Sequence, residues 1–108
     1  MPTFIDRHPL VDVPSAVRQQ MHLEAVHGLV DPSGTVPLSY WIEDGYIYCV
    51  VRAPDEQAVC KHHAERGLAC DELHSLPGLQ GSRPLSGDDN RTVRTRIAQL
   101  WHAEPTST

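Results

Sequence analysis

The sequence has no apolar run long enough to span a bilayer, no basic cluster, and none of the short motifs that mark common enzyme classes. Each absence removes a class of function. Fourteen acidic residues against nine Lys and Arg give a formal net charge of −5. Phosphate neutralisation depends on clustered cations, so nucleic acid is not an expected partner, and the lack of a basic amphipathic surface argues against a membrane partner. There is no phosphate-binding loop, dinucleotide fingerprint, nucleophile-elbow pentapeptide or Cys-x-x-Cys. An enzyme is therefore the less favoured reading, and no catalytic residue is named. Cysteine is also scarce: Cys49, Cys60 and Cys70, an odd number. With no apolar leader at the N-terminus, this favours free thiols in a reducing cytoplasm.

Histidine, by contrast, occurs seven times in 108 residues. It is the commonest metal ligand and titrates near neutral pH. One domain is expected at this length, burying roughly two-thirds of the unfolded chain's surface.

Alternation over Thr3 to His8 predicts a strand, with Phe4, Asp6 and His8 on one face and Ile5 and Arg7 on the other. Pro14 and Ser15 open a helix carrying Val17, Met21 and Ala25 as its apolar stripe, and Gly28 stops it. Val36 to Glu43 and Tyr46 to Val51 read as strands joined at the Asp44-Gly45 turn. Asp55 caps a second helix that ends near Gly67, and Leu73 to Leu76 makes a weak fourth strand.

This order, β-α-β-β-α-β, predicts an α+β, ferredoxin-like fold: a four-stranded antiparallel sheet with two helices on one face. Residues 1–77 form the domain, 78–90 a linker, and 91–108 a C-terminal helix and frayed tail. Ile5, Tyr40, Ile42, Ile47 and Cys49 are expected to face the two helices. Phe4, Trp41 and Tyr48 are expected on the bare face, and such a face predicts a homodimer packed sheet on sheet. The alternative is that the C-terminal helix folds back over it through Ile97, Leu100 and Trp101.

In this topology His22 and His63 stand on neighbouring helices above Cys49. Two imidazoles and a thiolate suit nickel, zinc or copper. The bland counterpart is a buried apolar cysteine under two helix-surface histidines. Asp6 and His8 form a separate pair on the other face. His62 and His63 diverge by about 100° on a helix, so one of them is expected at the surface. A Cys49–His63 nucleophile pair lacks any third orienting residue.

Several segments resemble, in order and spacing, a family of small bacterial proteins that includes a nickel-binding, nickel-responsive member. They are Pro2-Thr3-Phe4-Ile5-Asp6-Arg7-His8, His22, Tyr40-Trp41, Tyr48-Cys49-Val50, Ala53-Pro54-Asp55, Ala58-Val59, His63 and Asp71-Glu72-Leu73. The chain departs from the family pattern at Arg52, at Arg66 before Gly67, and in the extension after residue 77. The resemblance implies a ferredoxin-like fold, a homodimer and, in at least that member, bound nickel. Matching polar positions are Asp6, His8, His22, Tyr40, Trp41, Cys49, His63 and Glu72. Of these, His8, His22, Cys49 and His63 are the candidate ligands for nickel or another divalent metal. Asp6, Tyr40, Trp41 and Glu72 are further candidate site residues. A rival reading places a small molecule between helices and sheet, and a third makes the chain a protein-interaction domain.

Overall fold

The computed structural model describes residues 1–70, 72–77, 79 and 87–102. β1 (Thr3–Pro9) runs into a short 3-10 turn, Leu10–Asp12, and then α1 (Ser15–His27). β2 (Val36–Glu43) and β3 (Tyr46–Arg52) form a hairpin, followed by α2 (Glu56–Ala64), β4 (Leu73–Ser75) and α3 (Gly87–Ile97). The sheet order is β2-β3-β1-β4, antiparallel throughout, which is the expected ferredoxin-like arrangement.

Local chemistry sets the breaks. Asp44 and Gly45 both have positive φ, 53° and 82°, as a two-residue hairpin turn requires. Gly28 closes α1 in the left-handed conformation at φ 60°. The Asp55 carboxylate accepts from the Ala58 N–H and caps α2.

Registration of β1 against β3 fixes the faces. Phe4, Asp6 and His8 pair with Val51, Cys49 and Ile47, and all six lie on the side covered by α1 and α2. Phe4 packs with Val51 and Val59 beneath α2, whereas Val13, Ile47 and Cys49 pack beneath α1. Ile5 points the other way, with Tyr48 and Val50. The expected phase of β1 is therefore reversed: Ile5 leaves the α1–α2 face, and Phe4, Asp6 and His8 occupy it.

The second face is not bare. Val93 and Ile97 of α3 are buried on it against Ile5, Tyr48 and Val50, with Trp41, Leu100 and Trp101 packed around them. Arg94 reaches Glu43 at 3.1 Å and lies over the Trp41 ring, joining α3 to β2. The surface offered to a second copy in the sheet-on-sheet reading is thus covered within one chain, by the residues named in the alternative. α3 also begins at Gly87, inside the stretch read as linker, and Leu79 of that stretch is buried in the same cluster. The rest of the linker, the tail from residue 103 and Asp71 lie outside the described residues.

The expectation of three free thiols is corrected too. Cys60 and Cys70 form a disulfide with Cα atoms 5.4 Å apart, and Cys49 alone is free and buried. The bridge ties α2 to the connection leading into β4. No helix among the described residues is long and apolar enough to cross a membrane.

Candidate metal centre

Alternation along β1 places Asp6 and His8 side by side under α2, and the helical period sets His63 one turn beyond Val59 on the inner face of α2. These placements converge. Asp6 Oδ2 lies 2.8 Å from His8 Nε2 and in hydrogen-bond contact with His63 Nε2. The two imidazole centroids are 5.0 Å apart. Asp6, His8 and His63 are 2%, 4% and 4% exposed, so water does not screen them.

The second nitrogen of His63 fixes its protonation. His63 Nδ1 lies 2.6 Å from the Val59 carbonyl oxygen, which can only accept. Nδ1 therefore donates, and Nε2 donates to the carboxylate. Burial opposes a charged imidazole, but the hydrogen bond and charge of Asp6 outweigh it and raise the His63 pKa. Burial likewise opposes the Asp6 carboxylate, but bonding to His63 and His8 prevails and lowers its pKa.

The donor set fits a divalent transition metal. Its nitrogen and oxygen atoms lie within 4.8 Å of one another. Imidazole with carboxylate suits first-row metals such as nickel and zinc. The Val59 carbonyl supplies the backbone contact that orients a ligating histidine. Asp6 Oδ1 is buried with no hydrogen-bond partner among the described residues, and such an oxygen is costly unless something else engages it.

The other candidates fall elsewhere. His22 is exposed and its Nδ1 lies 2.7 Å from the hydroxyl of Tyr40 on β2, away from the converging trio. Cys49 faces Asp6 across the β1–β3 ladder but is outside the converging trio. Burial, then the nearby Asp6 charge, pushes its thiol pKa well up, so it stays protonated. A cavity of about 30 Å³ beside Cys49, His63, Tyr40 and Met21 has room for water and not for an organic ligand. That removes the volume the small-molecule reading needs at this place. Trp41 stacks on Tyr48 beneath α3. Glu72 accepts from Arg7 Nε and from Trp101 Nε1, both at 3.1 Å.

The expectation that one of His62 and His63 is at the surface also fails, since both are buried. His62 Nδ1 lies 2.6 Å from Asp31 Oδ2 in the turn after α1. Arg66 donates to the His62 carbonyl oxygen and to Glu24, and lies 3.6 Å from Asp31. Asp31, His62 and Glu65 also lie close enough to hold a cation, but the Arg66 guanidinium already supplies the positive charge there. Sequence reasoning missed this network because it depends on a long-range fold of the 31–35 turn over α2. It missed Asp6 as a partner of His63 because it inverted β1. The available signal was the apolar side of the C-terminal helix, Val93, Ile97, Leu100 and Trp101, which implies that both sheet faces are covered and frees Ile5 to face it.

Comparison with known proteins agrees with this geometry at the level of fold and family. The crystal structure of SCO4226 from Streptomyces coelicolor A3(2) aligns over 73% of this chain and 99% of its own, at 26% identity and a TM-score of 0.55. None of the curated protein sequences matches. The model of the family described as nickel responsive protein SCO4226-like matches residues 4–76, a span holding Asp6, His8 and His63. The chain belongs to the SCO4226-like family.

Proposed function

We propose that this protein binds a nickel-class divalent cation through Asp6, His8 and His63, and that its role is metal binding or metal response rather than catalysis. The observation that carries the reading is the convergence of two imidazole nitrogens and one carboxylate oxygen at a buried point. The family description, nickel responsive, supports the choice of metal.

Each residue has a distinct part. Asp6 supplies the negative charge that offsets the cation. His63 keeps its Nδ1 proton on the Val59 carbonyl and offers Nε2 once that nitrogen gives up its proton. His8 closes the third side. Packing of α2 over β1 excludes water and holds the three donors ready. The metal would supply a fixed double positive charge in a low-dielectric place, a large local field for a domain this small.

The test is calorimetric titration of tag-free protein with nickel and zinc at pH 7.5. Alanine at Asp6, His8 or His63 should each weaken binding by at least about tenfold, whereas His22→Ala and Cys49→Ser should leave it within about threefold. Absence of binding by the unsubstituted protein would defeat the proposal. A loss on Cys49→Ser as large as on His63→Ala would move the thiol into the site.

A further inference from the structure

Among the described residues, two voids touch the Asp6–His8–His63 cluster, and they differ in their walls. The cavity beside His63 is about 30 Å³, and none of its lining residues is exposed. A divalent cation arrives with a water shell, and a space of that size holds little more than one water. The second void, at the end of β1, is a cleft of about 310 Å³. His8, Pro9, Asp12, Leu68, Ala69 and Glu72 form its walls, and Asp12 and Ala69 are exposed at its rim. Of the three donors, His8 alone lines it.

His8 therefore lines the cleft while its Nε2 contacts the Asp6 carboxylate, so it joins the cleft to the buried cluster. Asp12 and Glu72 give the cleft negative charge. Glu72 is bonded to Arg7, which leaves Asp12, on the turn after β1, as the carboxylate whose charge bears most on an approaching cation.

We propose that this cleft is the route by which a divalent cation reaches the buried cluster, with the His8 imidazole as its inner wall and first ligand. The inference rests on the metal-binding reading above. A route differs from a site in what it controls: obstructing it slows arrival and departure alike and leaves the equilibrium unchanged.

The experiment is stopped-flow mixing of tag-free protein with nickel chloride, paired with calorimetric Kd values. Ala69→Trp places a large side chain at the rim without touching a donor. It should lower the association and dissociation rate constants together, by about tenfold or more, with Kd within about threefold. Asp12→Lys reverses the rim charge. It should slow association several-fold at low salt, and the difference should shrink as ionic strength rises. Gln19→Trp, at an exposed position of α1 that does not line the cleft, should leave both rates unchanged. Nickel binding at unaltered rates in Ala69→Trp and Asp12→Lys overturns the route while leaving the site standing. No nickel binding by the unsubstituted protein overturns the site and the route with it. Should Ala69→Trp fail to fold, as circular dichroism would show, the salt dependence of Asp12→Lys decides.

Discussion

His62 and His63 are neighbours in sequence and opposites in chemistry. Both are buried on α2, and each meets a carboxylate. For His63, the hydrogen bond and charge of Asp6 outweigh burial and the Arg66 charge, and its pKa rises. For His62, burial and the nearby Arg66 charge outweigh Asp31, and its pKa falls. The signs give a pH profile. With its folded value raised, His63 adds stability that is full below about pH 6.5, the unfolded value, and is lost as pH rises through the folded one. Asp6, with its value lowered, adds stability above about pH 3.9 that is lost as pH falls through its folded value. In metal-free protein, His63→Gln should therefore flatten the decline in melting temperature above about pH 6.5 that the unsubstituted chain shows. An unchanged slope would remove the charged form of His63 from the account.

Nickel binding reverses this balance, because Nε2 of His63 must lose its proton to become a donor. About one proton should leave per metal bound, and affinity should fall as the solution is acidified. Calorimetry in two buffers of different ionisation enthalpy counts that proton directly. Equal observed enthalpies in the two would mean that His63 was already neutral.

At the scale of elements, α3 and the disulfide determine what the flanking segments do. Val93 and Ile97 of α3 are fully or nearly fully buried against the sheet, and truncating a buried Ile to Ala costs about 2–5 kcal/mol. Urea denaturation of Ile97→Ala should show a loss in that range. A loss below about 1 kcal/mol would mean that α3 is not an integral layer. The Cys60–Cys70 bridge closes a short loop that carries His62, His63 and Arg66. On loop-closure grounds it is worth about 3 kcal/mol, so Cys60→Ser and reduction by dithiothreitol should lower stability by similar amounts.

Much of this architecture was legible because it is locally encoded. The turn at Asp44-Gly45, the stop at Gly28 and the cap at Asp55 are each set by one or two residues. The phase of β1 was not. Phe4 and Ile5 are both large and apolar, so alternation alone leaves the choice of face to whatever covers the sheet. That choice carries Asp6 and His8 with it. A local pattern could show two polar residues on one face of a strand. Only the packing of α2 and α3 on opposite sides of the sheet could bring them to His63.

As a whole, the molecule is a sheet with helices on both faces, and self-association through the α3 face would require α3 to leave it. Ile97→Asp, which puts a charge into that cluster, should therefore raise the light-scattering mass at high micromolar concentration by exposing Ile5, Trp41 and Tyr48. The same mass as the unsubstituted chain would mean that the uncovered face does not drive assembly.

The layering also divides the molecule optically. Both tryptophans, Trp41 and Trp101, sit on the α3 side and flank Tyr48, while the imidazole cluster lies across the sheet. Indole emission therefore reports on the seating of the C-terminal helix. The visible absorption of a bound nickel ion would report on the histidine side. A single cuvette titrated with denaturant can be followed at two wavelengths. Coincident transitions would mean that the cover and the centre melt as one unit, and an emission red-shift preceding loss of the metal band would time the departure of the cover.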